Sequence, residues 1–185
     1  RHASGKQALE KARKFGRNLS LVRLMSKTSP YQTRKLFRRS IGAGQRLIGL
    51  DLGSKQIGVA LSDVALSIAS PLKTISRRKF TATANEILGL MEQHNAGGLV
   101  IGLPLEMSGK EGPAAQSARE FARNLEKLAP GTPVLFMDER LSTSAVERTL
   151  LEADASRARR AEVIDKMAAA FFLQGALDLL YEDRM

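Results

Sequence analysis

The sequence contains no cysteine and no tryptophan, and it has two histidines and two tyrosines among 185 residues. Without cysteine the chain can form no disulfide, no thiolate zinc site and no cysteine nucleophile. With only His2 and His94, a histidine metal cluster or a Ser-His-Asp triad is hard to assemble. Any hydrolytic chemistry therefore has to rest on carboxylates. Separately, the absence of tryptophan and the presence of only two tyrosines argue against a protein that coats single strands by base stacking.

Long apolar runs are also missing. No segment approaches the roughly 20 apolar residues that cross a bilayer, and the longest uncharged runs contain Gly, Pro or Ser. The composition, 43% hydrophobic and 26% charged, is typical of a soluble globular protein. It predicts one domain of about 140 residues with an appendage and no membrane partner. We expect a cytoplasmic location, with which the absence of cysteine is compatible.

Acids are nearly absent from the first quarter of the chain. Residues 1–46 contain 13 Lys or Arg and one acid, Glu10, for a net charge of +12, whereas residues 47–185 contain 16 against 18, a net of −2. We therefore divide the chain into a basic extension, 1–46, partly helical or disordered, and a domain, 47–185. Three interpretations of the extension stay open: a transit segment for a mitochondrion or plastid, an arm that binds nucleic acid phosphates, or a start-site artefact.

A single carboxylate, Asp51, interrupts an otherwise apolar segment that ends in a glycine turn. Apolar residues flank it and then alternate, which predicts strands at 47–53 and 56–62 joined by a tight turn at 53–55. A charge in the middle of a sheet is costly unless it is paired or bound to a metal. Asp51 is therefore more consistent with chemistry than with a solvated edge strand.

Apolar periodicity and Gly or Pro breaks predict the remaining elements. These are a strand at 72–76 after Pro71, a helix at 81–93 that a break at 95–98 ends, a strand at 99–104, a helix at 113–128, a strand at 134–137, a helix from 142 or 143 to 152, a loop at 153–161 and a helix at 162–181. The short turns between the first three strands indicate an antiparallel meander. The order predicts an α/β domain.

Four motifs in this order resemble the YqgF/RuvX family of Holliday-junction resolvases and pre-16S rRNA nucleases. They are Gly49–Ala60, Ile101–Gly112, Asp138–Ala145 and the Asp-Lys-Met-Ala-Ala-Ala segment from Asp165. The resemblance covers residues 47–181. It implies an RNase H-like fold, in which a five-stranded mixed β-sheet is flanked by helices on both faces, and a metal-dependent nuclease.

Three acids are predicted to form the site: Asp51 on the first strand, Glu139 after the fifth, and Asp165 near the start of the last helix. Carboxylates brought together repel one another unless a dication neutralises them, and Mg²⁺ or Mn²⁺ prefers such oxygen ligands. The resemblance implies the same three positions as catalytic acids. Asp138 competes with Glu139, but adjacent strand residues point to opposite faces, and we favour Glu139.

Basic and hydroxyl side chains near these acids are candidate contacts to substrate phosphates. They are Lys55, Ser108, Lys110, Arg140, Arg157, Arg159 and Arg160. The loop at 102–112 is expected to be mobile and to face the substrate. The plainer alternatives are solvated surface positions and, for Arg140, an ion pair with Asp138.

The sequence itself does not choose between RNA and DNA; the resemblance implies hydrolysis of phosphodiester bonds in 5′-end processing of pre-16S rRNA during ribosome biogenesis. The first alternative is a Holliday-junction resolvase acting on branched DNA, which would require a two-fold dimer; monomer and homodimer both stay open. The second alternative is a non-catalytic protein that binds rRNA or ribosomal particles. The Asp-Leu-Gly-Ser sequence at 51–54 also resembles the first phosphate turn of actin-like ATPases, but residues 47–185 are too few for the two domains those enzymes need.

Overall fold

A computed structural model describes residues 34–138 and 157–182, with side chains of the last helix described for 167–181. The elements, in chain order, are α1 (Arg34–Ser40), β1 (Arg46–Leu52), β2 (Gln56–Ser62), β3 (Ala69–Ser76), α2 (Phe80–Gln93), β4 (Ala96–Leu103), α3 (Pro113–Leu128), β5 (Val134–Asp138) and α4 (Arg157–Glu182). The helix predicted at 142–152 lies outside the described residues.

The five strands form one mixed sheet in the order β3-β2-β1-β4-β5. Strands β1, β2 and β3 pair antiparallel, while β4 runs parallel to both β1 and β5. The predicted meander and mixed sheet are confirmed. Strand β1 is the central strand, so Asp51 does lie in the middle of the sheet.

Helices cover both faces of the sheet, as predicted. Alternate residues of β1 point to opposite faces: Ile48 and Leu50 pack with α2 and α3, whereas Leu47 packs with α1 and α4. All three side chains are fully buried. The last helix meets the sheet with small and apolar residues: Ala169, Phe172 and Ala176 are buried.

Strand β3 begins at Ala69 and runs through Pro71, so the predicted start after this proline is wrong. Proline has no backbone N–H to donate and is tolerated on edge strands. Strand β3 is an edge of the sheet, and a register shift between Val59 and Ala60 lies opposite Pro71.

Strand β4 begins at Ala96, so the predicted break at 95–98 ends too late. The two glycines inside the strand are needed for close packing. A Cβ atom on Gly98 would lie 2.7 Å from Ile41 Cδ1, and one on Gly97 would lie 2.2 Å from the Gln45 side-chain oxygen. Glycine in a strand here marks the close approach of a neighbouring segment.

Helix α4 begins at Arg157, so the loop predicted at 153–161 is wrong from residue 157 onward. This segment lacks apolar periodicity, but arginine and alanine are strong helix formers. Asp165 is consequently the ninth residue of the helix rather than a residue near its start.

Part of the basic extension belongs to the packed structure. Helix α1 inserts Phe37, which is fully buried, against the start of β4, and Ile41 follows it into the same core. Arg34, Lys35 and Arg39 stay on the exposed side. Within the described residues, no helix has the length and hydropathy needed to cross a membrane.

The turn between β2 and β3 is organised by Asp63. Its Oδ1 accepts the backbone N–H groups of Ser67, at 2.7 Å, and Ile68, at 3.0 Å. These bonds, that of Ile68 foremost, hold the pKa of Asp63 below its ordinary value of 3.8. Gln174 ties the same turn to α4 by accepting from Ala69 N and donating to the Ser67 carbonyl, each at 2.9 Å.

The Asp63 turn predicts a pH dependence of stability. Because the folded pKa is depressed, the charged carboxylate stabilises the fold above pH 3.8, and this contribution is lost as pH falls through the folded pKa. We expect Asp63→Asn to lower the free energy of unfolding at neutral pH and to differ less from the wild type in acid. Urea unfolding of both proteins at neutral pH and in acid checks this. An equal difference in the free energy of unfolding under the two conditions would contradict it.

Candidate active site

The carboxyl ends of β1, β4 and β5 lie side by side at one end of the sheet because these three strands are parallel. We call this end of the sheet the site edge. Leu50 pairs with Ile101, and Leu103 pairs with Asp138. Asp51 therefore lies one residue before the level at which Asp138 ends β5. Ligand sites of α/β sheets gather at such an edge.

Asp51 is half-buried and lies on the face that α4 covers. Its neighbours set this orientation: Leu50 packs with α2 and α3, whereas Gly49 lies under α4. Gly58 of β2 pairs directly with Asp51, and Gly102 of β4 follows the register partner of Leu50. Both neighbouring strands thus have glycine at this level and add no side chain beside the carboxylate, which suits the approach of a ligand.

The two flanking glycines were not identified as site residues from the sequence. The available signal is a glycine inside an otherwise apolar strand, at Gly58 and at Gly102. That signal becomes informative only when the strand register places both residues beside the same carboxylate.

Helix α4 lies very close to β1 at Gly49. A Cβ atom on Gly49 would lie 2.9 Å from Leu173 Cβ and 3.0 Å from the Ala169 carbonyl oxygen. Farther along the helix, Gln174 bonds to Ala69, which pairs with the last residue of β2, at the opposite edge of the sheet from Asp51. Helix α4 therefore runs antiparallel to β1, and its amino-terminal half extends toward the edge where Asp51 lies.

The turn between β1 and β2 carries Lys55, which is exposed. Gly53 N donates to the Asp51 carbonyl at 3.1 Å and closes the turn. A Cβ atom on Gly53 would lie 2.6 Å from the Gln56 carbonyl oxygen. Glycine is thus required at this position to let the chain reverse two residues after Asp51.

Arg77 is a residue of this region that the sequence analysis missed. Its Nη1 donates to the Gly53 carbonyl at 2.9 Å, and its backbone N donates to the Lys55 carbonyl at 2.8 Å. Its Nη2 donates to Ser117 Oγ on α3 at 3.2 Å. The sequence signal was a basic run directly after β3, which does not indicate a contact with the hairpin turn.

The loop that follows β4 presents Ser108 and Lys110, both exposed, at the same edge. It is a small closed hairpin: Leu105 and Glu111 form an antiparallel bridge, and Glu106 N donates to the Lys110 carbonyl at 3.0 Å. Gly109 has the positive φ of 79° that the turn requires. The loop follows the carboxyl end of β4, and these bonds give it a defined shape; its contact with substrate stays a prediction.

Glu111 attaches the base of this loop to α3. Arg119 Nε donates to Glu111 Oε1 at 2.7 Å, and this bond holds the pKa of Glu111 below its ordinary value. The Arg119 guanidinium also lies 4.9 Å from the centre of the Phe136 ring on β5. The turn between β1 and β2, through Arg77 and Ser117, and the loop after β4, through Glu111 and Arg119, therefore both have partners on the first two turns of α3.

Asp138 lies on the face opposite Asp51. Val134 and Phe136 precede it at alternate positions and both pack with α2 and α3, while Leu135 and Met137 pack with α4. By this alternation Asp138 does not share the face of Asp51.

The other candidate residues lie where their side chains are not described. Glu139 and Arg140 follow the last described residue of β5. Arg157, Arg159 and Arg160 lie in the first turn of α4 and Asp165 in its third. Among the residues that the structure describes, no three His, Asp or Glu side chains gather into a metal-binding group.

Sequence comparison decides the family. The model of the family described as RuvX, Holliday junction resolvase, matches residues 45–179. The chain belongs to the RuvX family. Among the relatives of this RuvX-family chain, a protein of Paramagnetospirillum magneticum is 61% identical over 139 residues, which cover 75% of this chain and 89% of the relative. A protein of Rhodospirillum rubrum is 53% identical over 156 residues, 84% of this chain and 96% of the relative. Both carry the name "Putative pre-16S rRNA nuclease".

A solved structure is similar to the RuvX-family chain at much lower identity. Thermus thermophilus RuvC, in complex with a Holliday junction substrate, is 14% identical, with a TM-score of 0.49 over 76% of this chain and 96% of RuvC. A likeness this distant carries no argument about activity. The sheet order and the family match are what establish the RNase H-like fold predicted for the chain.

Proposed function

We propose that this RuvX-family protein is a nuclease that hydrolyses phosphodiester bonds with Asp51, Glu139 and Asp165 as the ligands of Mg²⁺ or Mn²⁺. The observation that carries the proposal is the placement of Asp51. It is a half-buried carboxylate on the central strand, it faces α4, and both flanking strands have glycine beside it. A charge held in such a place has a cost that a bound cation would offset.

The packing of α4 on Gly49 supports Asp165 as the second ligand. Asp165 precedes Ala169 by four residues, which is about 6 Å along a helix and returns to the same face. Asp51 follows Gly49 by two residues, which is about 6.6 Å along a strand. Helix α4 and strand β1 run in opposite directions and touch at Ala169 and Gly49. The step back from Ala169 to Asp165 and the step forward from Gly49 to Asp51 therefore lead in the same direction and over similar distances.

The alternation along β5 supports Glu139 as the third ligand. Leu135 and Met137 face α4, and Glu139 is the next residue of that series. Asp138 belongs to the other series. The described alternation therefore argues against Asp138, and this supports Glu139 as the proposed ligand.

The proposed ligands suit a hard cation. All three are carboxylates, and Mg²⁺ and Mn²⁺ prefer oxygen ligands, whereas the chain has no cysteine to favour a soft metal. Such an ion supplies activation of the attacking water and stabilisation of charge on the phosphate oxygens. Within the protein, Asp51 is held by a rigid central strand, which favours precise placement.

Exposed cations and hydroxyls at the same edge would hold the substrate backbone. Lys55, Ser108 and Lys110 stand on the two turns beside Asp51, and Arg140, Arg157, Arg159 and Arg160 are proposed to extend this set from the following segment and the first turn of α4. Contacts of this kind bind phosphates without reading sequence. Discrimination between substrates would then come from shape.

The substrate we favour is the 5′ extension of pre-16S rRNA, and the name of the close relatives supports this choice. Ribosome assembly intermediates would be the partners, and the cytoplasm the place of action. The family description supports the second candidate, a four-way DNA junction. That reaction would need a two-fold dimer.

A cleavage assay tests the proposal. We expect the protein to cut a 5′-extended small-subunit rRNA precursor with Mn²⁺ or Mg²⁺, and we expect EDTA to abolish the products because the carboxylate site needs a cation. A labelled four-way DNA junction is the parallel substrate. Cutting of the junction alone would favour the resolvase, and binding of RNA without cleavage of either substrate would favour the non-catalytic alternative.

A further inference from the structure

Arg77 joins two parts of the site edge that are far apart in sequence. Its backbone N–H donates to the Lys55 carbonyl and its Nη1 to the Gly53 carbonyl, while its Nη2 donates to Ser117 Oγ on α3. We propose that Arg77 is a positioning residue that fixes the hairpin turn beside Asp51 to helix α3. The catalytic part of this inference rests on the proposed function.

The turn has reason to need such support. Gly53, Ser54 and Lys55 are all exposed, and exposed turns with few packed side chains move most readily. Two of their three carbonyls accept hydrogen bonds from one residue, Arg77. Because the turn begins two residues after Asp51, its movement would be transmitted to the carboxyl end of β1.

The guanidinium is suited to this role by its shape. Arginine has a planar group whose donors point in fixed directions, so one side chain can hold two acceptors at once. In Arg77 these acceptors are the Gly53 carbonyl and Ser117 Oγ. The ammonium of a lysine is a point charge on a flexible chain and does not reproduce this arrangement.

Helix α3 supplies a common base for the two turns of the site edge. Ser117 accepts a hydrogen bond from Arg77, which in turn holds the hairpin turn. Two residues later, Arg119 donates to Glu111 at the base of the loop that carries Ser108 and Lys110. Arg77 would thereby set the position of Lys55 relative to the substrate contacts on that loop.

The adjacent arginine is a natural control. Arg78 has the same charge, but its Nη2 bonds to Glu86 on α2, at 2.5 Å. Replacing Arg78 removes one positive charge from the same segment and leaves the hairpin turn attached. A difference between the two arginines separates positioning from net charge.

The test combines amide exchange with kinetics in Arg77→Ala, Arg77→Lys, Ser117→Ala and Arg78→Ala. We expect Arg77→Ala to speed hydrogen exchange in a peptide covering residues 50–57 by about tenfold and to lower kcat for the RNA precursor by a similar factor. KM should change less than kcat. Arg77→Lys should resemble Arg77→Ala, Ser117→Ala should be intermediate, and Arg78→Ala should resemble the wild type.

Two results would overturn the positioning role of Arg77, and a third would overturn the proposed function. Unchanged exchange in both Arg77 variants, or full rescue of exchange and kcat by lysine, would overturn the positioning role. Should Arg77→Ala fail to fold, the lysine and Ser117→Ala variants carry the same comparison. Faster exchange in variants of a protein whose wild type cuts neither substrate would keep the attachment of the turn and overturn the proposed function.

Discussion

Asp51→Asn is expected to lower the rate of metal-dependent cleavage by about a thousandfold or more. A metal site contributes several kcal/mol of transition-state stabilisation, and each 1.4 kcal/mol changes a rate by about tenfold. The substitution keeps the size of the side chain and removes the charge that would bind the cation. Cleavage of the rRNA precursor and binding of Mn²⁺ by calorimetry are the two measurements, and both should be lost together.

The matched control is Asp178→Asn. Asp178 is an exposed acid in the carboxyl-terminal part of α4, far from Asp51, and it accepts a hydrogen bond from Gln174. This substitution removes one negative charge without touching the proposed site, so cleavage should be unchanged. Full activity in Asp51→Asn would eliminate the carboxylate mechanism, and equal losses in both variants would point to a nonspecific effect of charge.

Gly49→Val is expected to destabilise the protein by about 3 kcal/mol, because overpacking a tight contact forces the backbone apart. The first added carbon alone would come within 3.0 Å of two atoms of α4. For a chain of this length the melting temperature should fall by about 10 °C. Urea unfolding and thermal melting followed by circular dichroism measure both quantities.

Gly89→Ala is the control for this substitution. Gly89 is an exposed residue of α2 and a Cβ atom there would meet nothing within 4 Å. Alanine is the better helix former by about 0.5–1 kcal/mol, so this variant should be slightly more stable than the wild type. A Gly49→Val protein as stable as the wild type would show that α4 does not pack on β1 as described.

The part of the site nearest to Asp51 was predictable because its signals are local. Apolar alternation, a carboxylate and a glycine turn all fall within one segment, 47–62, and they specify a hairpin whatever the rest of the chain does. The edge at which Asp51 lies followed from the carboxyl ends of the strands. These signals need no knowledge of distant contacts.

The features that the sequence did not reveal depend on distant neighbours. Arg77 bonds to residues 24 and 40 positions away, and no periodicity records such a contact. Pro71 ends a strand in sequence-based reasoning unless the strand is known to be an edge. The arginine-rich start of α4 has helix propensity without an apolar face, so periodicity alone interprets it as a loop.

The buried position of Phe37 has a consequence for where the folding unit begins. The family match starts at residue 45, but Phe37 and Ile41 fill the space above Gly98 at the start of β4. A chain shortened to the matched region would leave an apolar cavity open to water over Gly97 and Gly98, which have no side chains to close it. In this protein the packed core therefore begins before the region that the family model matches, and helix α1 covers the amino-terminal end of β4.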